Sequence, residues 1–170
     1  MAELFGDSAP DVVVYNAGIA RDNMFVFMSP EEWDSVIHTN LDGFYHTVQP
    51  LLFGMIARRS GRIIVITSAS GQSGQAGQVN YAASKAALAA AVKSLAREVG
   101  RKGILVNAVS PGVIETDMTA ELPKEQILPM IPLKRFGTPE EVAGVISFLC
   151  SPDSTYLHGQ VIAVNGGLLT

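Results

Sequence analysis

Four short apolar runs constrain this chain most. Asp11-Val12-Val13-Val14-Tyr15, Arg62-Ile63-Ile64-Val65-Ile66-Thr67, Ile104-Leu105-Val106-Asn107-Ala108-Val109 and Gln160-Val161-Ile162-Ala163-Val164 are rich in β-branched residues. They are apolar on both faces, as strands buried on both sides must be. Helical patterns separate them, and that alternation predicts βαβ units with a mostly parallel sheet. Ser29-Pro30-Glu31-Glu32 is a capping box with proline at the first helical position, opening a helix towards Arg59 that is expected to bend near Pro50. Asn80 to Gly100 is alanine-rich and strongly helical. Thr138-Pro139-Glu140-Glu141 opens a further helix to about Cys150, and Thr116 to Gly137 reads as a loop with short helical pieces over a site.

Composition removes other classes. With 48% hydrophobic residues and a net charge of -4 the chain is not disordered. At 170 residues it is expected to form one domain over 1–170 that buries roughly 70% of its unfolded surface. Cys150 is the only cysteine, so no disulfide framework exists. No apolar run reaches a membrane span, and Met1-Ala2-Glu3-Leu4 lacks the basic and apolar regions of a signal peptide. A cytoplasmic location is therefore expected. The acidic balance argues against nucleic acid as the main partner. His38, His46 and His158 lack ligand spacing, so no metal site is expected.

In an open α/β sheet, ligands sit beyond the carboxyl ends of the strands. The segments there are Asn16-Ala17-Gly18, Ser68-Ala69-Ser70-Gly71, Ser110-Pro111-Gly112 and Asn165-Gly166-Gly167, all small, polar or glycine-rich. Tyr81 and Lys85 stand four apart on the alanine-rich helix and so share a face. An ammonium beside a phenol favours phenolate and is expected to pull the tyrosine pKa down, giving an acid or base near neutrality. Ser68 ends the preceding strand and can hold a carbonyl oxygen beside that phenol. Taken singly, each feature has a plain structural explanation: a chance Tyr-x-x-x-Lys, a strand-end serine, a turn at Pro111-Gly112, a helix asparagine facing water at Asn40. Gly71, Gly74 and Gly77 read as a flexible loop on the substrate side. Met24, Phe25, Phe27 and Met28 are expected to pack, with lining of an entrance as the alternative.

The ordered set is more specific than its members. Asn16-Ala17-Gly18, Asn40, Ser68, Tyr81, Lys85 and Ser110-Pro111-Gly112 follow one another in a pattern that resembles the short-chain dehydrogenase/reductase family. Gly77-Gln78-Val79-Asn80-Tyr81-Ala82-Ala83-Ser84-Lys85-Ala86, Gly112 to Met118 and Pro132 to Ala143 look like its 3-oxoacyl-[acyl-carrier-protein] reductases. The resemblance implies a Rossmann-like, doubly wound, mostly parallel sheet and NADPH-dependent reduction of 3-oxoacyl thioesters, with NAD as the alternative cofactor. It implies that Tyr81 protonates the ketone oxygen and that Ser68 orients it. Lys85 would lower the tyrosine pKa and bind the nicotinamide ribose. Asn40 would kink its helix around a water that links Lys85 to solvent. Asn16, Ala17 and Gly18 would let the cofactor approach closely, and Pro111, Gly112, Ile114 and Thr116 would border its carboxamide. Arg59 and Lys102 match cations that dock an acidic acyl carrier protein, although cations at helix ends are also favoured by the helix dipole. A homo-oligomer, dimer or tetramer, is implied through the two long helices and the last strand.

The family pattern also begins with three strands and a glycine-rich pyrophosphate turn that have no counterpart before Asp11. In addition, Tyr15 stands where an Asn-Asn-Ala-Gly motif has its first asparagine. The strand at Val12–Tyr15 is therefore expected to be a sheet edge, covered by a partner chain or by rearrangement, or else to leave the chain poorly soluble alone. Two other readings remain open: a non-catalytic partner subunit of a longer reductase, and a dehydrogenase acting on another alcohol or ketone.

Overall fold

The computed structural model describes residues 9–170; the segment Met1-Ala2-Glu3-Leu4, read above as lacking a leader, lies outside them. Four strands form one parallel sheet in the order β1 (Val12–Tyr15), β2 (Gly61–Ile66), β3 (Ile104–Pro111), β4 (Val161–Val164). Each follows one of the four apolar runs. Between them lie α1 (Pro30–Ile37), α2 (Gly43–Arg58), α3 (Val79–Val99) and α4 (Pro139–Cys150).

Strand alternation splits the core in two. Val13, Tyr15, Ile63, Val65, Val106 and Ala108 face α2 and α3, where Val48, Met55, Leu88 and Val92 close the layer. Ile64, Ile66 and Val109 face the other way, against Val142 and Leu149 of α4. Because both faces are covered, the strands must be apolar on both sides, which is the reason for the continuous runs. Leu88 is fully buried in the first layer. Leu88→Ala is expected to destabilise the chain by about 3 kcal/mol through lost burial and a residual cavity, read from the midpoint of urea unfolding.

Both capping boxes form. The Ser29 hydroxyl accepts from the Glu32 N–H while the Glu32 carboxylate accepts from the Ser29 N–H, and Thr138 and Glu141 repeat the arrangement. Glu141 also takes a paired contact from Arg135 at 2.8 and 2.6 Å, which holds its carboxyl down at about 2.

Three expectations need correction. The segment from Ser29 to Arg59 is not one helix bent at Pro50: α2 runs through Pro50, and the break lies at a π-helical turn over His38–Asp42. The extra residue in that turn costs the ladder its α register, whereas Pro50 costs only one N–H. Second, Met24, Phe25 and Phe27 do not pack in the core: they sit in or beside a short 3-10 turn, with Phe27 75% exposed. Only Phe25 finds a ring, meeting Trp33 edge to face at 6.4 Å beside an open depression of about 300 Å³. Third, Gly71 is not part of a loose loop. It lies in the helical turn Ser70–Ser73 against α3, where a Cβ would come within 2.9 Å of the Ala86 nitrogen. Gly74 and Gly77 follow it with positive φ, 71° and 82°, which glycine adopts without strain.

β1 pairs with β2 alone among the described residues, and Val14 on it is 42% exposed. It is thus the edge expected from the sequence. The stretch Thr116–Gly137 consists of short helical pieces at Asp117–Thr119, Lys124–Ile127 and Leu128–Met130. No helix among the described residues is long and apolar enough to cross a membrane.

Candidate active site

The carboxyl ends of β1, β2 and β3 lie side by side, and the backbone beyond them is stitched together. The Ala69 N–H donates to the Pro111 carbonyl at 2.9 Å, and the Gln72 amide donates to the Ser110 hydroxyl at 2.9 Å. Ser68, half-buried at the end of β2, is thereby held next to Pro111. Its hydroxyl accepts from the Ser70 N–H at 3.2 Å. Gly112 donates to the Val164 carbonyl at 2.9 Å and lies so close to Asn165 that a Cβ would fall 2.8 Å from its Cα. Here glycine is required by close packing of two strand ends. Ile114 bridges to Gly137, and the Thr116 N–H bonds the Thr119 hydroxyl at 3.0 Å.

Helix α3 brings Tyr81 and Lys85 to this edge on one face, as their spacing predicts. The Lys85 Nζ lies 5.7 Å from the Tyr81 ring centre and donates to the Ile66 carbonyl at 2.8 Å. Lys85 is 4% exposed, and burial pushes its pKa from the ordinary 10.5 down to about 8. Tyr81 also departs from expectation. Its pKa is raised, chiefly because burial disfavours phenolate; the nearby Ser68 hydroxyl pulls the other way and Asp22 adds to the rise. The expected lowering by Lys85 is overturned here. A desolvated ammonium engaged with a carbonyl and lying over the ring is a weak stabiliser of phenolate, and burial of the phenol outweighs it.

Asn40 is fully buried within the π-helical turn, so the water-facing alternative is wrong. Its Nδ2 donates to the Ile19 carbonyl at 3.1 Å and to the Ser84 hydroxyl at 2.9 Å, and its Oδ1 accepts from the Ile19 N–H at 2.8 Å. The side chain therefore clamps the chain just after Asn16-Ala17-Gly18 to α3. Asn16 and Ala17 remain exposed. At Gly18 a Cβ would stand 3.2 Å from the Lys85 Nζ and 3.4 Å from the Asn40 Oδ1.

Two residues of this cluster escaped the sequence reading. Ser84 is fully buried, receives Asn40 and donates to the Tyr81 carbonyl at 2.8 Å. Asn80, also fully buried, donates to the carbonyls of Arg21 and Glu32 at 2.9 and 3.2 Å. The signal available was their own spacing: polar residues at 80 and 84 form a second row beside 81 and 85 at the start of an alanine-rich helix.

Arg59 and Lys102 lie apart from this cluster. Arg59 ends α2 before β2 begins and Lys102 precedes β3, so both sit at the amino ends of the parallel strands. The Arg59 guanidinium donates to the Arg101 carbonyl at 2.9 Å, which draws the exposed cations into one group.

Ser68, Tyr81 and Lys85 thus meet at the carboxyl edge, with Asn40 behind them. A protonated phenol and a serine hydroxyl can together grip a carbonyl oxygen, and a buried ammonium stands next to an exposed, small-residue strand end. That donor set fits the nicotinamide end of a dinucleotide.

Comparison with known proteins agrees with this geometry. A family model described as Enoyl-(Acyl carrier protein) reductase matches residues 4–169. The chain is 52% identical over 158 residues to the 3-oxoacyl-[acyl-carrier-protein] reductase FabG of Aggregatibacter actinomycetemcomitans, covering 92% of this chain and 65% of that protein. It is 51% identical over 162 residues to the protein of the same name in Pseudomonas aeruginosa, covering 94% and 66%. It is also 48% identical over 172 residues to the acetoacetyl-CoA reductase of Rhizobium meliloti, covering 98% and 71%. The chain spans about two thirds of the length of these curated relatives. With the ordered residues, the doubly covered parallel sheet and these matches in agreement, the chain belongs to the short-chain dehydrogenase/reductase family.

Proposed function

We propose that this chain carries the catalytic residues of an NADPH-dependent reductase of 3-oxoacyl thioesters, acting in the cytoplasm. The observation that carries the reading is the meeting of Ser68, Tyr81 and Lys85 at the carboxyl ends of β2 and β3. The names of the relatives, 3-oxoacyl-[acyl-carrier-protein] reductase and acetoacetyl-CoA reductase, support the substrate class.

Lys85, Tyr81 and the segment Asn16-Ala17-Gly18 would hold the nicotinamide ribose end, with Pro111, Gly112, Ile114 and Thr116 along the ring. When bound, the dinucleotide supplies a hydride to the carbonyl carbon. Tyr81 delivers the proton to the carbonyl oxygen, and its raised pKa suits that task, since the phenol remains protonated at neutral pH. Ser68 donates to the same oxygen and stabilises its growing negative charge. Lys85 holds the ribose and, while charged, limits the cost of the phenolate left behind. Asn40 keeps Ile19 and Ser84 in register, so that Gly18 stays against Lys85. We also read residues 1–170 as one domain, with a homo-oligomer formed through the two long helices and β4; the exposure of Tyr45 and Phe53 on α2 supports it.

NADPH oxidation by the purified chain with acetoacetyl-CoA tests the assignment: a rate that depends on Tyr81 supports it, and no rate above the protein-free blank overturns it. The open edge of β1 favours a second reading, a subunit that associates with a longer reductase, and co-purification with such a chain would support it.

The cation group around Arg59 and Lys102 suits an acidic carrier protein. It lies at the opposite end of the strands from Tyr81, so docking and chemistry face opposite ends of one chain's sheet. Reversing both charges is expected to raise the KM for a carrier-bound substrate about tenfold and leave that for a small free thioester within about twofold. An equal effect on both substrates would exclude docking there.

A further inference from the structure

We propose that Tyr15 is a positioning residue: its hydroxyl locks the π-helical turn His38–Asp42 and thereby aims Asn40 at Ile19 and Ser84. Tyr15 ends β1 and is buried, and its hydroxyl donates to the Thr39 carbonyl at 2.7 Å. Thr39 directly precedes Asn40. In an unbroken α-helix the Thr39 carbonyl would receive the Gly43 N–H. Here the Gly43 N–H goes to the His38 carbonyl, five residues back. The phenol thus donates to the carbonyl that loses the Gly43 N–H in the shifted ladder.

Neighbouring residues are shaped for this contact. Phe44 meets the Tyr15 ring edge to face at 5.7 Å and 72°, which fixes its plane. At position 43 a Cβ would stand 2.5 Å from the Tyr15 hydroxyl, so only glycine lets the phenol through. Burial raises the Tyr15 pKa, which keeps the hydroxyl a donor.

The consequence is geometric. One residue corresponds to about 100° of helix rotation. If the turn relaxes to α register, Asn40 swings away from Ile19 and Ser84, and three hydrogen bonds that hold the strand end to α3 are lost together. Tyr15 stands where the resembled motif has its first asparagine, and here that position braces the turn through its hydroxyl.

The significance for catalysis rests on the reductase reading above; the brace itself does not, and one experiment separates the two. Amide exchange is followed by NMR in the full chain and in Tyr15→Phe, which keeps the ring and loses only the hydroxyl. The proposal expects the Ile19 amide and the Asn40 side-chain amide to exchange about tenfold faster, with the sheet amides of Ile63 and Val106 within about twofold. Gly43→Ala, which displaces the phenol, should give the same pattern. In the reductase assay, Tyr15→Phe should lower kcat about tenfold and leave the thioester KM within about twofold. Unchanged exchange at Ile19, or an equal rise at every amide, would overturn the proposal. So would faster exchange at Ile19 with an unchanged kcat. A wild-type chain without reductase activity would refute the functional reading alone, and the exchange pattern would then decide the role of Tyr15.

Discussion

Tyr81→Phe is expected to lower reduction of an acetoacetyl thioester by about 10²- to 10⁴-fold, the usual contribution of a positioned general acid. The ring stays in place, so packing at the start of α3 is retained and the unfolding midpoint should hardly move. The Ser68 hydroxyl would still contact the carbonyl oxygen but could not replace the lost proton. Rates of NADPH oxidation with and without the hydroxyl, at matched folded protein, measure the effect. A loss of less than about threefold would mean that another group delivers the proton. Because burial raises the Tyr81 pKa, the wild-type reduction rate should not fall through deprotonation of Tyr81 anywhere near neutral pH.

Lys85→Met should abolish reduction and at the same time stabilise the chain at neutral pH. Burial pushes the Lys85 pKa from 10.5 to about 8, so the charged form is penalised in the folded state by about 3 kcal/mol. Between those two values the unfolded chain binds more protons than the folded one. Stability of the wild type should therefore rise with pH from about 8 to about 10.5, and the penalty is present in full below about 8. Methionine fills similar space without the charge. It also leaves the Ile66 carbonyl without the Lys85 donor, which returns about 1 kcal/mol. The net gain expected at pH 7 is about 2 kcal/mol, read from urea midpoints, and the variant should lose the alkaline rise. A variant no more stable than the wild type at pH 7 would show that the ammonium is better solvated than its burial implies.

Much of the framework was legible because it rests on local rules. Strands buried on both faces announce themselves as unbroken apolar runs, and Ser29 and Thr138 cap helices through side chains only three residues away. Tyr81 and Lys85 came together through helix periodicity, and Ser68 through its place at a strand end. A break at Asn40 was implied only by the family resemblance, and its π-helical form has no local signal. The phenol that bonds the Thr39 carbonyl comes from β1, 24 residues earlier, and no local pattern encodes that contact. Proline, the visible helix breaker, misled because Pro50 is tolerated within α2. The apolar cluster Met24 to Met28 misled for another reason: hydrophobic residues are usually core, yet composition does not say which face of the molecule a turn presents. The Tyr81 pKa failed because a neighbouring charge can be counted in the sequence, whereas desolvation depends on everything packed around the pair.

The strands' two ends differ in character, and that bears on how the chain can be handled. Exposed cations gather at the amino ends, around Arg59, Arg101 and Lys102, while the candidate site lies at the carboxyl ends. Adsorbed on an anionic support through its cationic end, the molecule would present its reactive mouth to the solution. Immobilisation through that surface should therefore orient the chain productively with no engineered tag.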